Sequence, residues 1–186
     1  MLNAKELLPL IAGLSIGATM LIASGNQKLG FSGTVAVAAT SAPSPNPVFS
    51  SLVPGLKSGT SVPILLPSTV LFDTATRGPL YATVEDVDSG GYSIDFESTS
   101  TCNFRSYCNE GQVVSSTPSG SIDTSNYSSY QTINLSNGLS AIVAIPIYRQ
   151  MTTITWDQGG RRYALIMGVD NFPQDLVTMA NSMTQY

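Results

Sequence analysis

The chain contains no histidine, so it lacks the side chain most used for proton transfer near neutral pH. That absence excludes Ser-His-Asp and Cys-His catalysis, His-ligated zinc or iron, and a His-based pH switch. Charge is scarce as well, at 11% of residues, and basic charge is scarcest. Beyond Ala38, six basic residues stand against eleven acidic ones. Such a surface neither neutralises the phosphates of a nucleic acid nor seeks an anionic membrane. The one lysine beyond that point is Lys57, in what reads as a loop, which leaves a Ser-Lys mechanism without support. With two cysteines and no histidine, a metal site at the cysteines would lack further Cys or His ligands.

What is present is apolar, small and polar. Hydrophobic residues make up 42% of the chain, enough for one domain with a core, and Ser, Thr, Gly and Pro fill much of the rest, as in extracytoplasmic β-rich proteins. From Leu7 to Ala23 the run LLPLIAGLSIGATMLIA carries no charge and follows Lys5 and Glu6. As a helix it would reach about 26 Å against roughly 30 Å of hydrocarbon, so a secretory signal and a retained membrane anchor both fit. Ala36-Val37-Ala38 is the best small-x-small cleavage site, with Ala23-Ser24-Gly25 the alternative. Leu21-Ile22-Ala23-Ser24 has serine where a lipidated cysteine would stand, so lipidation is not indicated. The stretch from Thr40 to Pro47, TSAPSPNP, reads as an extended spacer. These features divide the chain into 1–38, a signal peptide or anchor; 39–50, a Pro/Ser-rich spacer; and 51–186, a single β-rich domain.

Within that domain, short strand-like runs alternate with turn residues. Val62 to Leu66 is apolar but broken by Pro63 and Pro67, which predicts an edge or loop-like strand, with Val70 to Asp73 as its continuation. Leu80 to Val87, Ser89-Gly90-Gly91 and Tyr92 to Ser98 predict a hairpin. Alternation there sends Tyr92, Ile94 and Phe96 to one face, and Ser93, Asp95 and Glu97 to a wet one. Tyr130 to Leu135 and Leu139 to Tyr148 flank Asn137-Gly138 and predict a second hairpin. Its second strand, LSAIVAIPIY, is apolar at nearly every position and is expected to be central and buried on both faces, with Pro146 near its end or at a bulge. Thr152 to Trp156 and Arg161 to Met167, joined by Gln158-Gly159-Gly160, predict a third. Pro173 opens a helix with Asn171 or Phe172 as its cap, and Leu176, Ala180 and Met183, supported by Val177, form the apolar stripe. The expected fold class is α+β, an antiparallel meander or curved sheet covered by a C-terminal helix and preceded by the signal or anchor helix.

Candidate sites are few. Cys102 and Cys108, in CNFRSYC, have the spacing of a small disulfide-closed loop in an exported protein; a redox pair would more typically be C-x-x-C. Glu85, Asp86 and Asp88, with Asp95 and Glu97 across the hairpin, are the densest acidic group. Asp86 and Asp88 before two glycines are weak calcium candidates, since the later ligand positions and the bidentate Glu of a calcium loop are missing. A carboxylate pair for glycoside hydrolysis can be imagined in the same group. Arg161 and Arg162, near Trp156 and Tyr163, could form an anion or glycan site, yet alternation puts Arg161, Tyr163 and Leu165 on one face and Arg162 and Ala164 on the other. Trp156 is expected in the core. Tyr92, Tyr107, Tyr127 and Tyr130 are placed near loops, and Asn126 and Asn134 begin glycosylation acceptor triplets that matter only in a eukaryotic secretory route.

The order VPILLPS, a GYSIDF strand, the C-x5-C loop, then ITWDQGGRRYALIMG leading into an L-x-x-x-A-N-S helix resembles a group of uncharacterised exported bacterial domains, cyanobacterial ones among them. The likeness covers about Ser61 to Met183; Asp170-Asn171-Phe172-Pro173 departs from the small and charged residues usual before that helix. The resemblance implies an envelope or lumenal location and no particular activity or cofactor. The function expected on these grounds is a non-enzymatic extracytoplasmic domain that binds, carries or scaffolds, with an envelope protein or an apolar or glycan ligand as partner, no nucleic acid, and possible membrane attachment through Leu7 to Ala23. The alternative is an Asp/Glu-dependent hydrolase of glycan or cell wall.

Overall fold

The computed structural model describes residues 44–102, 107–147, 151–168 and 173–186. The apolar run from Leu7 to Ala23, the cleavage sites, and the capping residues Asn171 and Phe172 lie outside them. The first described element is a short 3₁₀ helix, Pro47–Phe49, whose Phe49 is fully buried and meets Phe96 with ring centroids 5.7 Å apart.

Alternating runs joined by glycine turns produce an antiparallel sheet. All three hairpins expected from the sequence form. The strands β2 (Tyr81–Asp88) and β3 (Gly91–Glu97) pair around Ser89-Gly90, β5 (Tyr127–Asn134) and β6 (Ser140–Pro146) around Asn137-Gly138, and β7 (Met151–Gln158) and β8 (Arg161–Gly168) around Gly159-Gly160. Gly159 and Gly160 have φ of 60° and 76°, the left-handed pair that a two-residue turn matched to the strand twist requires. Among the described residues the sheet has seven strands in the order β2-β3-β4-β8-β7-β6-β5, with all neighbours antiparallel.

The strand β4 (Asn109–Ser116) was not expected from the sequence, and it joins the two halves of the sheet by pairing with both β3 and β8. Its inward positions are Gly111, Val113 and Ser115, too mixed to register as an apolar face. Gly111 is there because backbone approaches closely: a Cβ would run into the Ile166 carbonyl oxygen of β8. A second correction concerns β6. It is second from the edge, between β5 and β7, and the middle strand is β8. Ala141, Val143 and Ala144 are buried, but Ile145 is 39% and Ile147 50% exposed. Pro146 ends β6 opposite Tyr127, beside a bulge, as its missing N–H demands.

One face of the sheet carries the core. Tyr92, Ile94, Phe96, Val113, Ile154, Trp156, Tyr163, Leu165 and Met167 pack against Leu56 of α1 (Val53–Gly59), Leu65 and Leu66 of β1 (Leu65–Pro67), and Leu176, Met179 and Ala180 of α3 (Pro173–Asn181). The expected helix stripe is therefore right at Leu176 and Ala180, but α3 ends at Asn181 and Met183 belongs to a short strand, β9 (Met183–Gln185), paired with β1. Met179 takes its place on the buried face. Val70 to Asp73 form no strand; Asp73 instead caps the short helix α2 (Thr74–Arg77), accepting from the Ala75 and Thr76 amides and from the Thr76 hydroxyl at 2.6 Å.

The chain between β4 and β5 must return from one end of the sheet to the other, because four antiparallel steps separate these strands and they run the same way. With the first face filled by α1, α3 and β1, the return crosses the second face. Arg162, whose side chain is on that second face, donates to the Gly120 carbonyl at 2.6 Å. From there to Tyr127 an extended chain reaches roughly 25 Å, while β5 lies three strands from β8, about 14 Å away, and begins at the far end.

Candidate functional site

The acidic group lies on the second face, near the β2 edge. A bulge between Val84 and Asp86 brings Glu85 onto the same side as Ser93 and Gln112. Ser93 Oγ donates to Glu85 Oε2 at 2.9 Å, and Gln112 Nε2 donates both to Glu85 Oε2 at 2.9 Å and to Asp95 Oδ1 at 2.6 Å. The expectation of a wet face on β3 is corrected here: Asp95 and Glu97 are only 1% and 2% exposed. Each is flanked by a strand on both sides, so neighbouring side chains remove the water that alternation alone would admit. Burial holds the Asp95 carboxyl above its ordinary pKa, the nearby Glu85 and Glu97 charges push the same way, and the Gln112 and Asn109 side chains oppose them. Thr83, opposite Asp95 in register, has a buried hydroxyl with no hydrogen-bond partner among the described residues.

Asp86, next to Glu85, and Asp88, at the turn of the same hairpin, line a groove of about 310 Å³ together with Ser93, Val114 and Ser116. Asp88 Oδ1 accepts from the Gly90 amide at 2.6 Å, so this carboxylate shapes the turn. Among the described residues no cluster of three or more Cys, Asp or Glu could hold a metal ion. The carboxylates Glu85 and Asp95 share one face and one amide donor and are not opposed across a cleft.

The two arginines separate as alternation predicts. Arg161 Nη1 donates to the Gly90 carbonyl at 2.7 Å and to Thr117 Oγ1 at 2.8 Å, tying the β2–β3 turn to the start of the crossover. Arg162 makes a fork with Asp157, Nε to Oδ1 at 2.8 Å and Nη2 to Oδ2 at 3.0 Å. That pairing lowers the Asp157 pKa and raises that of Arg162. Both guanidinium groups are thus committed to the fold. Trp156 is in the core as expected, stacked on Tyr163 with centroids 5.8 Å apart.

Tyr92 is not a loop residue: it is 3% exposed and faces the core. Its hydroxyl donates to the Leu65 carbonyl at 2.8 Å and accepts from the Leu65 amide at 2.9 Å, while the Tyr163 hydroxyl donates to the Pro63 carbonyl at 3.1 Å. Burial raises the pKa of both phenols. These two side chains hold the proline-broken segment that cannot form a full ladder of its own. The alternation signal already put Tyr92 beside Ile94 and Phe96; its nearness to a glycine turn concealed its role. Tyr127 and Tyr130 are likewise strand residues, of β5, and only Tyr107 of the four is in a turn; Tyr107 and Tyr130 are exposed, at 75% and 56%.

Cys102 and Cys108 form the expected disulfide, with Cα atoms 5.7 Å apart, and both are buried. A bond of this kind belongs to an oxidising, extracytoplasmic compartment. Among the described residues no helix is long and apolar enough to cross a membrane. Comparison with models of protein families, with curated proteins and with solved structures finds no match for this chain.

Proposed function

We propose that the chain is a non-enzymatic envelope domain that binds or scaffolds, working in the periplasm, a lumen or outside the cell, with the segment from Leu7 to Ala23 either removed or kept as its membrane attachment. The observation that carries this reading is the arrangement of its most capable chemical groups. Glu85 and Asp95 are bridged side by side by Gln112 on one sheet face, whereas glycoside hydrolysis needs two carboxyls on opposite sides of a bond. The carrier variant is disfavoured by the packing beneath α3, where Leu176 and Met179 are fully buried in the core. Its partner is then an envelope protein or a glycan met at the surface.

The test uses the full chain with its disulfide intact, incubated with cell-wall polymer and with soluble glycan oligosaccharides, beside Asp95→Asn and Glu85→Gln variants. Saturable retention on an envelope fraction without any product above blank is expected. Glycan turnover that Asp95→Asn abolishes would replace this reading with the hydrolase.

A further inference from the structure

The two edges of the sheet are built differently. The β2 edge has a bulge, three acidic residues at Glu85, Asp86 and Asp88, and α1 packed beside it. Those are the usual devices by which a sheet refuses further strands. The β5 edge has a bulge only at its start, between Tyr127 and Ser129, and no acidic side chain. Residues 124–148, which include all of β5 and β6, contain no charged side chain, and Ser128 to Thr132 are exposed without interruption. The crossover is held over the second face at Gly120, away from these exposed β5 residues.

The unpaired groups on that rim follow from the ladder. The Leu135 amide bonds the Leu139 carbonyl at 2.8 Å, and the register continues through Ile133↔Ala141 and Gln131↔Val143. Hydrogen-bonded pairs alternate in an antiparallel ladder, so Ile133 and Gln131 spend their backbone groups on β6, whereas Tyr130, Thr132 and Asn134 turn theirs outward.

From this we infer that the chain self-associates through β5, a second copy adding its own β5 antiparallel about a two-fold axis at Gln131. This register pairs Tyr130 with Thr132 of the second copy, and Thr132 with its Tyr130, so that every outward backbone group near the axis meets an outward one. It sets a half-exposed aromatic against a β-branched residue, a favourable cross-strand pair. On the other side of the strand, Ser129 falls opposite Ile133 of the second copy, next to the exposed Ile145. A second copy suits this edge better than a charged peptide does: two chains of net charge -4 repel, and β5 and β6 form the long stretch of surface where they meet no like charge.

The axis residue makes the inference testable. At a non-hydrogen-bonded pair on a two-fold axis, two Cα atoms lie about 4.5 Å apart, within disulfide range. The full chain carrying Gln131→Cys, kept in one buffer or detergent throughout, is expected to become a disulfide-linked dimer under mild oxidation. Ser136→Cys, in the hairpin turn, should stay monomeric. Adding Thr132→Pro removes an outward N–H without touching the bonds to β6, so it should abolish the covalent dimer while leaving the thermal midpoint and near-UV circular dichroism intact. The unmodified chain should show a concentration-dependent mass in sedimentation, lost with Thr132→Pro. The inference is overturned if the unmodified chain remains monomeric to about 100 µM, if Gln131→Cys cross-links no better than Ser136→Cys, or if a folded Thr132→Pro variant dimerises as before.

Discussion

Asp95 shows how a single side chain can be legible in position and illegible in state. Alternation assigns it to the face opposite Ile94 and Phe96, and the structure agrees; what alternation cannot reveal is that Thr83 and Gln112 flank it closely enough to exclude water. Because folding raises its pKa, the folded chain holds this proton more tightly than the unfolded one. The group's contribution is therefore fully present below its ordinary value of 3.8 and is lost as the pH rises through the folded value. Asp95→Asn keeps an oxygen for Gln112, so at neutral pH the variant should melt above the native chain, and the gap should close toward about pH 3. A gap independent of pH would refute that account. Tyr92 makes the complementary case. Tyr92→Phe preserves the ring but strips both hydrogen bonds from the buried Leu65 backbone, and urea unfolding should show a loss of about 1–3 kcal/mol; an unchanged midpoint would mean that water replaces the hydroxyl.

At the level of elements, hairpins were readable because each is a local event: two alternating runs and the glycine turn between them lie within about twenty residues. The strand β4 was not, since Gly111 and Ser115 occupy inward positions that only the neighbouring strands make intelligible. Gly111→Ala tests that reading directly. With the Ile166 carbonyl in the path of the new methyl, the substitution should cost about 1–3 kcal/mol, and thermal melting at unchanged stability would show that β4 and β8 can separate at no cost. The disulfide is another local feature that spacing announced. Replacing both Cys102 and Cys108 by serine frees a short loop in the unfolded chain and should lower stability by about 2 kcal/mol by the chain-entropy account; denaturant titration of the two forms measures it.

Over the whole molecule, the crossover is pinned to the second face by Arg162, which donates to the Gly120 and Ser121 carbonyls. Its fork with Asp157 is largely exposed on the aspartate side, 48%, and pairs of that kind contribute less than about 1 kcal/mol. Arg162→Ala should therefore leave the melting temperature nearly unchanged while hydrogen exchange quickens across residues 117–126. Equal protection in both proteins would show that the crossover is held by other contacts.

The sequence by itself determined the fold class, the three hairpins, the closing helix, the cysteine loop and the exclusion of histidine chemistry. All of these rest on composition or on patterns repeated within a few residues, where the period of the strand or helix writes itself directly into the order of side chains. Only the tertiary structure decided that β4 bridges the two halves, that β6 stands one strand from an edge, that Tyr92 clamps a proline-broken segment 27 residues away, and that the acidic group is hydrogen-bonded within one face. Each of those depends on which distant strands become neighbours. That choice is made by the burial of both halves in one core, and no local period encodes it.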